Sequence, residues 1–438
     1  MKPRPGSGSP CRRRGGPRRG APADGAGYGR VGHDAPVENH ATRPHHVAVV
    51  GSGPSGFYAA AALLDAELDV RVDMFDRLAT PWGLVRAGVA PDHPKIKSVS
   101  SQYVQTAERE GFRFFGHVSL GEDVSREELL ERYDAIIYAV GSQTERRLGI
   151  PGEDLPGSIA SVDFVGWYNG HPDYVDLAPD LDTERAVVIG AGNVALDVAR
   201  MLLLPEADLR VTDTADHALE ALAASSVREA LVCGRRGPVE AAFTTTELRE
   251  LDHIDELTVV VDPEQVPAGI ADDPSLVKGT RRNLELMRRW AETGPDPQAR
   301  HRMEFRFLRS PVEIRGEGRV EEIALALNRL ETGEDGRTRA VDTGERETVS
   351  TGLVLRAVGY RGVALPGLPF DEGSGTVPHT EGRVDSRERE YVVGWIKRGP
   401  TGIIGTNRKD ANETVRHVLA DLAERAPREH GSPEEIDA

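Results

Sequence analysis

A glycine-punctuated turn near the start of the chain has the residue types and spacing of a phosphate-binding loop. Gly51, Gly53 and Gly56 separate an apolar run from an alanine-rich one, which predicts a turn between a strand and a helix. The first glycine permits the tight turn, the second lets a pyrophosphate approach the backbone, and the third lets helix and strand pack closely. Asp76 follows Gly51 by 25 residues at the end of the next predicted strand, where an acid either accepts ribose hydroxyls or is only a turn residue.

The same kind of turn recurs as Gly190-x-Gly192-x-x-Ala195. The predicted strand that follows it ends in Arg235 and Arg236 rather than in an acid. An arginine pair suits the extra 2′-phosphate of NADP, whereas an acid suits the free 2′-hydroxyl of NAD. The alternative is a solvated pair of surface arginines.

Two such turns predict two dinucleotides on one chain. The long spacing after the second turn requires the segment 205–226 to lie outside its sheet. If NADP(H) occupies the second turn, its redox partner must accept two electrons, which no protein side chain does. FAD accepts them, and its adenine–ribose–pyrophosphate half suits the first turn. The alternative is a turn kept only for packing.

The composition is that of a globular protein without cysteine chemistry. Its 438 residues suffice for two or three domains, and no apolar run reaches the roughly 18–20 residues of a membrane span. The two cysteines, Cys11 and Cys233, exclude a disulfide framework, a C-x-x-C redox pair and a cysteine-ligated metal site. Residues 46–438 carry a net charge of −23, which argues against nucleic-acid binding. We expect a cytoplasmic protein.

The first 45 residues have a different character, with nine Lys/Arg, three Asp/Glu and many glycines and prolines. This composition predicts a disordered basic tail over residues 1–45, or an over-extended translation start, because it opposes the amphipathic helix of a transit peptide. Beyond residue 46, apolar runs, helical segments and glycine-rich turns alternate, which predicts an α/β fold with parallel, doubly wound sheets. Near the C-terminus we expect a loop over 394–411 and then a closing helix over 412–425.

Five segments between residues 46 and about 422 resemble the adrenodoxin reductase-like ferredoxin–NADP⁺ reductases, in particular their actinobacterial branch. They are GSGPSGFYAA, TPWGLVRAGVAPDHPKIKS, IGAGNVALDVAR, GRRGPVEAAFTTTELREL and VVGWIKRGPTGIIGTNRKDA. The resemblance implies two Rossmann-like dinucleotide-binding domains. A discontinuous FAD domain would comprise residues 46–150 and 355–438, with an NADP(H) domain, residues 151–354, inserted in it. The implied enzyme passes a hydride from NADPH to FAD and then single electrons to a ferredoxin.

The resemblance also assigns roles to individual positions. Besides the glycines of the first turn, the implied FAD contacts are Ser55, Asp76 (where the family more often has Glu), Leu84, Val118, Trp395, Gly402, Ile403 and Ile404. The implied NADP(H) contacts are Gly190, Ala191, Gly192, Asn193, Val194, Arg235, Arg236, Glu247 and again Gly402. His93 and Glu250 match catalytic positions that tune hydride transfer or proton balance near the flavin.

Three of these residues also have plainer interpretations. A tryptophan such as Trp395 is often part of a core. His93 lies in a predicted loop, where it could be a surface histidine. Glu250 falls on a charged helix face, where a solvated role is equally open.

A small acidic ferredoxin would need a basic face on this acidic protein. The predicted helix 276–292 offers Lys278, Arg281, Arg282, Arg288 and Arg289 at roughly helical intervals, which favours docking; a solvated helix face is the alternative. A rim nearer the flavin would add Lys397, Arg398, Arg408 and Lys409. We expect a monomer that binds no metal.

Three other functions use similar folds. A disulfide reductase needs a C-x-x-C pair beside the flavin, which the sequence lacks. A flavin monooxygenase would consume oxygen instead of reducing an iron–sulfur protein. A non-catalytic redox sensor would hold the nucleotides without turnover, and its flavin, if present, would resist reduction by NADPH.

Overall fold

Two parallel β-sheets organise the chain in the computed structural model, which describes residues 43–428. The predicted basic tail lies outside the described residues up to residue 42. The strands are β1 (His45–Val50), β2 (Val70–Asp76), β3 (Phe112–Gly116), β4 (Ala135–Tyr138), β5 (Thr144–Glu145), β6 (Ser158–Ala160), β7 (Arg185–Ile189), β8 (Glu229–Gly234), β9 (Leu257–Val261), β10 (His301–Phe307), β11 (Arg309–Arg315), β12 (Glu322–Thr332), β13 (Thr338–Ser350), β14 (Leu353–Arg356), β15 (Tyr360–Arg361), β16 (His379–Thr380), β17 (Arg383–Val384) and β18 (Glu390–Val392). The α-helices are α1 (Pro54–Leu64), α2 (Leu84–Ala87), α3 (Pro94–Lys97), α4 (Ser100–Ala107), α5 (Arg126–Arg132), α6 (Ser161–Tyr168), α7 (Asn193–Leu203), α8 (Glu206–Leu209), α9 (Asp216–Ala223), α10 (Thr245–Glu250), α11 (Lys278–Thr293), α12 (Trp395–Arg398) and α13 (Ile404–Ala423).

The first sheet has the strand order β16-β17-β18-β4-β1-β2-β3. The five strands from β18 to β3 run parallel, and β16 and β17 form an antiparallel edge. Val47, Ala48 and Val49 are fully buried. Because helices cover both faces of a parallel sheet, its strands are continuously apolar rather than alternating. Segments 45–138 and 379–392 therefore share one sheet.

The second sheet has the order β6-β14-β7-β8-β10-β9, with all strands parallel. β7 and β8 are direct neighbours, and the chain between them forms α7, α8 and α9. The prediction that residues 205–226 leave the sheet is therefore confirmed. Two neighbouring parallel strands need such a crossover, because the end of the first strand and the start of the next lie at opposite edges of the sheet.

Two smaller sheets complete the fold. β11, β12 and β13 form an antiparallel sheet, and β5 pairs with β15 in a two-stranded antiparallel ribbon. Within the ribbon, the Glu145 carboxylate accepts hydrogen bonds from the N–H groups of Val358 (3.0 Å) and Ser161 (3.1 Å). Burial raises the pKa of Glu145 to about 8 in spite of these bonds. The predicted α/β class with parallel sheets is confirmed, and no helix of residues 43–428 is both long and apolar enough to cross a membrane.

The C-terminal prediction was wrong about where the last helix begins. The expected loop over 394–411 contains α12 and the first turns of α13, which starts at Ile404. The glycines and proline of this segment suggest a loop, but Asn407, Asp410 and Ala411 are buried and α13 packs against α1. Tertiary burial of a helix face outweighs weak local helix propensity.

Candidate functional site

The first glycine turn lies between β1 and α1, as its spacing predicts. Gly51 has a φ of +106°, and a Cβ there would lie 2.6 Å from the carbonyl oxygen of Ala139. A Cβ at Gly56 would lie 2.1 Å from the Gly51 carbonyl oxygen, so α1 packs directly on the turn. A Cβ at Gly53 would meet no described atom within 4 Å. The turn is thus closed toward the sheet and open where a phosphate would approach the backbone.

Asp76, at the end of β2, is hydrogen-bonded to this turn. Its Oδ2 accepts from the Ser52 N–H at 2.9 Å and from the Ser52 hydroxyl at 2.5 Å. Its Oδ1 accepts from the Leu78 N–H at 2.9 Å, and its carbonyl oxygen accepts from the Val118 N–H at 3.0 Å. A carboxylate oxygen accepts more than one hydrogen bond, so this geometry leaves acceptor capacity for the predicted ribose contact.

Two distant segments converge on the same turn. The Trp82 N–H donates to the Ser52 carbonyl oxygen at 2.9 Å, which brings Leu84, the first residue of α2, beside the turn. On the other side, a Cβ at Gly394 would lie 2.2 Å from the Ser55 Oγ. The structure therefore brings together the predicted FAD residues Ser55, Asp76, Leu84 and Val118 with the start of the C-terminal segment.

The C-terminal segment offers groups that a bound ring system would cover. Trp395 packs on Tyr360 with ring centroids 5.3 Å apart, and its indole N–H is buried without a hydrogen-bond partner in the described part of the chain. Gly402 has a φ of +82° and precedes Ile403, which is 70 % exposed, and Ile404 at the start of α13. A buried donor without an acceptor is costly. An indole donor without a partner, an exposed isoleucine and the open Gly53 backbone fit the polar and apolar parts of FAD.

The second turn has the same plan with one difference. A Cβ at Gly190 would lie 2.3 Å from the carbonyl oxygen of Ala357, whereas a Cβ at Gly192 would meet no described atom within 4 Å. The third position is occupied by Ala195, whose side chain is buried. Here the helix stands far enough from the turn to accept a methyl group, and the second glycine again leaves the backbone open.

The segment after β8 covers one side of this second turn. The Ala242 N–H donates to the Ala191 carbonyl oxygen at 2.7 Å, and the Thr244 N–H donates to the Asn193 Oδ1 at 2.8 Å. Val194 packs against the core beneath the second sheet. The segment after β8 therefore holds Ala191 and Asn193 by hydrogen bonds from its backbone N–H groups.

Arg235 and Arg236 leave the sheet beside the second turn, because β8 neighbours β7. Arg235 is exposed and Arg236 partly so. Within residues 43–428, neither guanidinium forms a hydrogen bond or an ion pair with another residue. A cationic pair without protein partners beside an open phosphate-binding turn fits the 2′-phosphate of NADP(H).

His93 is buried, with 7 % of its surface exposed, so the surface interpretation is wrong. Its Nε2 lies 3.1 Å from the Glu247 Oε2 and 3.5 Å from the Asp197 Oδ1. Its Nδ1 lies 3.5 Å from the Glu250 Oε2. The two predicted catalytic residues thus lie together, and Glu247, predicted as an NADP(H) contact, lies beside them.

Sequence reasoning missed the centre of this charge cluster, Arg200 on α7. Its side chain is 1 % exposed, and it binds the Asp92 carboxylate at 2.5 and 3.0 Å and the Asp197 Oδ1 at 2.9 Å. Its Nη2 lies 2.6 Å from the His93 Nε2. The only signal in the sequence is the pair Asp197 and Arg200 within the otherwise apolar segment of α7.

The carboxylates of the cluster set the charge of His93. Burial alone would lower the pKa of His93, but hydrogen bonds to Asp197 and Glu247 outweigh it and raise the pKa to about 10. Burial raises the pKa of Glu250, partly offset by the positive charge of His93. Ligand atoms of His93, Glu247 and Glu250 lie within 4.8 Å of one another, as in metal sites. A metal needs a neutral imidazole, whereas the neighbouring carboxylates raise the pKa of His93 and the buried Arg200 guanidinium already pairs with Asp92 and Asp197.

This architecture matches known proteins over most of the chain. Residues 45–232 match the family Pyridine nucleotide-disulphide oxidoreductase. NADPH-ferredoxin reductase FprA of Mycobacterium tuberculosis is 57% identical over 387 residues, which cover 87% of this chain and 84% of the relative. The mitochondrial NADPH:adrenodoxin oxidoreductase of Salvelinus fontinalis is 45% identical over 388 residues, covering 86% and 78%. The structure of Mycobacterium tuberculosis FprA in complex with NADPH aligns with a TM-score of 0.87 at 55% identity, covering 90% of this chain and 88% of that one.

The chain belongs to the adrenodoxin reductase-like family of NADPH–ferredoxin reductases. The family prediction made from the sequence motifs is confirmed, and the protein is an oxidoreductase.

In this reductase, α11 does not present its five basic residues as one patch. Lys278 and Arg282 are exposed and form no ion pair within the described residues. Arg281 turns back, with Nη2 3.4 Å from the Asp273 carbonyl oxygen and a buried Nε. Arg288 pairs with Glu292 at 2.8 Å and Arg289 pairs with Asp252.

The second basic rim of the reductase also differs from expectation. Lys397 is nearly buried and pairs with Asp410 at 2.8 Å, so its inclusion in a docking rim was wrong. The Arg398 guanidinium bonds to Thr401 and Asn407 and thereby holds the segment before α13. Arg408 and Lys409 are exposed on α13.

Proposed function

We propose that this reductase takes electrons from NADPH through a bound FAD and passes them singly to a small acidic ferredoxin. The observation that carries the proposal is the pair of open glycine turns, one of which has beside it two arginines whose guanidiniums contact no partner among residues 43–428. The relatives named above, which act with NADPH and with ferredoxin or adrenodoxin, support the same assignment. When bound, FAD supplies the conversion between a two-electron donor and a one-electron acceptor.

In this proposal, two regions of the chain bind the two dinucleotides. Residues 46–150 and 355–438 form the FAD domain, in which the open backbone at Gly53 receives the pyrophosphate and Asp76 accepts from the ribose. Trp395 donates its buried indole N–H and excludes water from the flavin ring, with Leu84, Val118, Gly402, Ile403 and Ile404 as its neighbours. Residues 151–354 form the NADP(H) domain.

The NADP(H) domain binds through the start of α7 and the loop after β8. The N–H groups near Gly192 receive the pyrophosphate, as the helix N-terminus favours an anion. Arg235 and Arg236 receive the 2′-phosphate through charge-assisted hydrogen bonds. An acid in their place would favour NAD(H), so the arginine pair makes the enzyme NADPH-specific.

His93 and Glu250 hold protons near the reacting rings in this proposal. Hydrogen bonds to Asp197 and Glu247 raise the pKa of His93, which favours the cationic form, and in that form His93 would stabilise negative charge beside it. Glu250, whose pKa is raised by burial, is half exposed at 39 % of its side chain and exchanges its proton with solvent. Arg200 and Asp197 both lie beside the Nε2 of His93 and keep the imidazole in place.

The ferredoxin docks, in this proposal, on the basic side of α11. Lys278 and Arg282 are free to attract an acidic partner, and Arg281, Arg288 and Arg289 contribute positive charge at the sides. Such a patch increases the association rate, and salt weakens its effect. We propose that the enzyme works as a monomer in the cytoplasm.

Anaerobic reduction and ferredoxin turnover test the function. The purified protein should be yellow, NADPH should bleach it without oxygen, and NADPH oxidation should depend on an added acidic ferredoxin. Lys278→Glu with Arg282→Glu should raise the KM for ferredoxin by about tenfold at low salt and leave NADPH–ferricyanide activity unchanged. Arg337→Glu, an exposed arginine at the β12–β13 tip, is the matched control.

Other outcomes point to the other functions. A colourless protein, or a flavin that NADPH does not bleach, would indicate a nucleotide-binding protein without catalysis. NADPH oxidation that depends on oxygen and not on ferredoxin would indicate a monooxygenase. Equal effects of the α11 and Arg337 variants would remove α11 as the docking surface.

A further inference from the structure

Asn328, on β12 of the antiparallel sheet, reaches the loop that carries the arginine pair. The residue is buried, with 8 % of its surface exposed. Its Nδ2 donates to the Arg235 carbonyl oxygen at 2.9 Å and to the Ser310 Oγ at 2.7 Å. Both amide hydrogens of Asn328 are therefore used, one of them on the backbone of the arginine loop.

The rest of that loop is fixed in the same way, through its backbone. The Leu308 N–H donates to the Arg236 carbonyl oxygen at 3.1 Å, and the Gly237 N–H donates to the Glu240 Oε2 at 3.1 Å. Asn328 also donates its own N–H to the Leu308 carbonyl oxygen at 2.9 Å. The carbonyl oxygens of Arg235 and Arg236 are thus each bonded from outside the loop, by Asn328 and Leu308, whereas Gly237 is bonded within the loop by Glu240.

The pairing beside Asn328 is irregular on the side of β13. Ala326 pairs with Arg346 and Asn328 pairs with Asp342, so three residues of β13 lie opposite the single residue Leu327 of β12. The Thr343 hydroxyl of this extra segment donates to the Leu327 carbonyl oxygen at 2.8 Å. Strand alternation places Asn328 on the buried face of β12 and Arg329 on the exposed face.

We propose that Asn328 is a positioning residue for coenzyme selectivity. The hydrogen bond from Asn328 to the Arg235 carbonyl oxygen fixes the loop backbone. The backbone positions of Arg235 and Arg236 are then already set before binding, so the two side chains lose less conformational entropy when a 2′-phosphate binds. This inference rests on the proposed function, in which Arg235 and Arg236 read that phosphate. Asn328 itself lies behind the loop and does not contact the coenzyme.

The test compares two ligands on the FAD-loaded protein. Asn328→Leu keeps the approximate size and removes the donor. One net hydrogen bond corresponds to a loss of about three- to tenfold, so calorimetry should show 2′,5′-ADP binding weakened by that factor. Binding of 5′-AMP, which lacks the 2′-phosphate, should change less than about twofold, and the ratio of kcat/KM for NADPH over NADH should fall with the 2′,5′-ADP affinity.

Ser310→Ala is the matched control, because it removes the other acceptor of Asn328 and leaves the bond to Arg235. It should bind both ligands like the unmodified protein. If Asn328→Leu loses flavin or unfolds earlier, Asn328→Ala, which adds no bulk, must show the same selective loss. Equal weakening of 2′,5′-ADP and 5′-AMP, or no weakening of either, overturns the role of Asn328.

Arg235→Ala with Arg236→Ala separates this inference from the proposed function. If that double variant keeps its preference for NADPH, the reading of the 2′-phosphate by the arginines fails, and the role of Asn328 fails with it. If the double variant loses the preference while the Asn328 variants keep it, only the role of Asn328 fails.

Discussion

The two glycine turns have the same local architecture and opposite surroundings. At the first, the acid at the end of the neighbouring strand, Asp76, is already bonded to Ser52 and Leu78. At the second, the loop after the neighbouring strand has its backbone fixed from outside, but its guanidiniums are unpartnered in residues 43–428. The charged residue beside the first turn is thus already hydrogen-bonded within the protein, whereas the charged residues beside the second turn remain available for a ligand. The fold shows no use for this cationic pair among residues 43–428, and in the proposed function it binds the 2′-phosphate of NADP(H).

The turns also differ in how closely the helix approaches. A Cβ at Gly56 would lie 2.1 Å from the Gly51 carbonyl oxygen, whereas the corresponding position of the second turn holds a buried Ala195. Glycine at the third position is therefore a steric requirement in the first turn and not in the second. The two turns have the same spacing, but the distance between helix and strand decides whether the third position must be glycine or can also be alanine.

The largest expected effect on function, loss of the bound flavin and with it all activity, comes from testing that steric difference directly. Gly56→Ala must push α1 away from the turn, because its Cβ would meet backbone. Overpacking of this kind costs about 1–3 kcal/mol and sometimes more, and we expect the variant to lose most of its FAD. Ala195→Gly, the reciprocal change, introduces no clash and should cost about 1–2 kcal/mol through helix propensity and the loss of one buried methyl group. Thermal melting and the flavin-to-protein absorbance ratio measure both; a Gly56→Ala protein as stable and as yellow as Ala195→Gly would contradict the comparison.

The next effect tests the charge difference between the turns. Arg235→Ala with Arg236→Ala removes two charge-assisted hydrogen bonds, each of about 1.5–3 kcal/mol, so kcat/KM for NADPH should fall by a hundredfold or more. Activity with NADH should change by less than about threefold, since NADH has no 2′-phosphate. Arg329→Ala, on the exposed side of β12, controls for the loss of a surface arginine. Parallel losses with the two coenzymes would show that the pair does not read the 2′-phosphate.

The smallest expected effect concerns Asp76, which is already hydrogen-bonded to the first turn. Asp76→Asn replaces one acceptor oxygen with a donor, which leaves either the Ser52 donors or the Leu78 N–H unpaired at a cost of about 1–3 kcal/mol. FAD release, followed by flavin fluorescence during heating, should occur at a lower temperature. Ser52→Ala removes only one donor and should lower it less. An unchanged release temperature for Asp76→Asn would show that these bonds do not hold the turn in its FAD-binding shape.

The local parts of the site could be predicted from the sequence because they depend on neighbouring residues. The spacing of Gly51, Gly53 and Gly56 defines a strand–turn–helix wherever the chain goes. The position of Arg235 and Arg236 at a strand end likewise follows from local pattern. The long motifs were enough to identify the family, and the segment 205–226 had to leave the sheet for the second turn to work.

Charge pairing could not be predicted in the same way. Lys397 is a basic residue in a loop-like stretch, but the fold buries it against Asp410. For His93 the sequence left a surface histidine open as the alternative to a catalytic one, and only the packing of α7 and α10 shows that it is buried beside Arg200, Glu247 and Glu250. Lys397 meets Asp410 only because the chain folds back as α13, and His93 meets Arg200 across 107 residues of sequence. In both cases the pairing depends on how separate elements pack, which no local pattern encodes.

The sequence by itself determined the two phosphate-binding turns, the parallel α/β class and the family, because glycine spacing and apolar runs act over a few residues. Only the tertiary structure decided which charges are neutralised and which are free. In the folded chain, Asp76 is hydrogen-bonded to the first glycine turn and His93 is enclosed by carboxylates. The guanidiniums of Arg235 and Arg236 have no protein partner in the described chain. The physical reason is that burial and ion pairing arise when distant segments pack together, and packing fixes the electrostatics of the site.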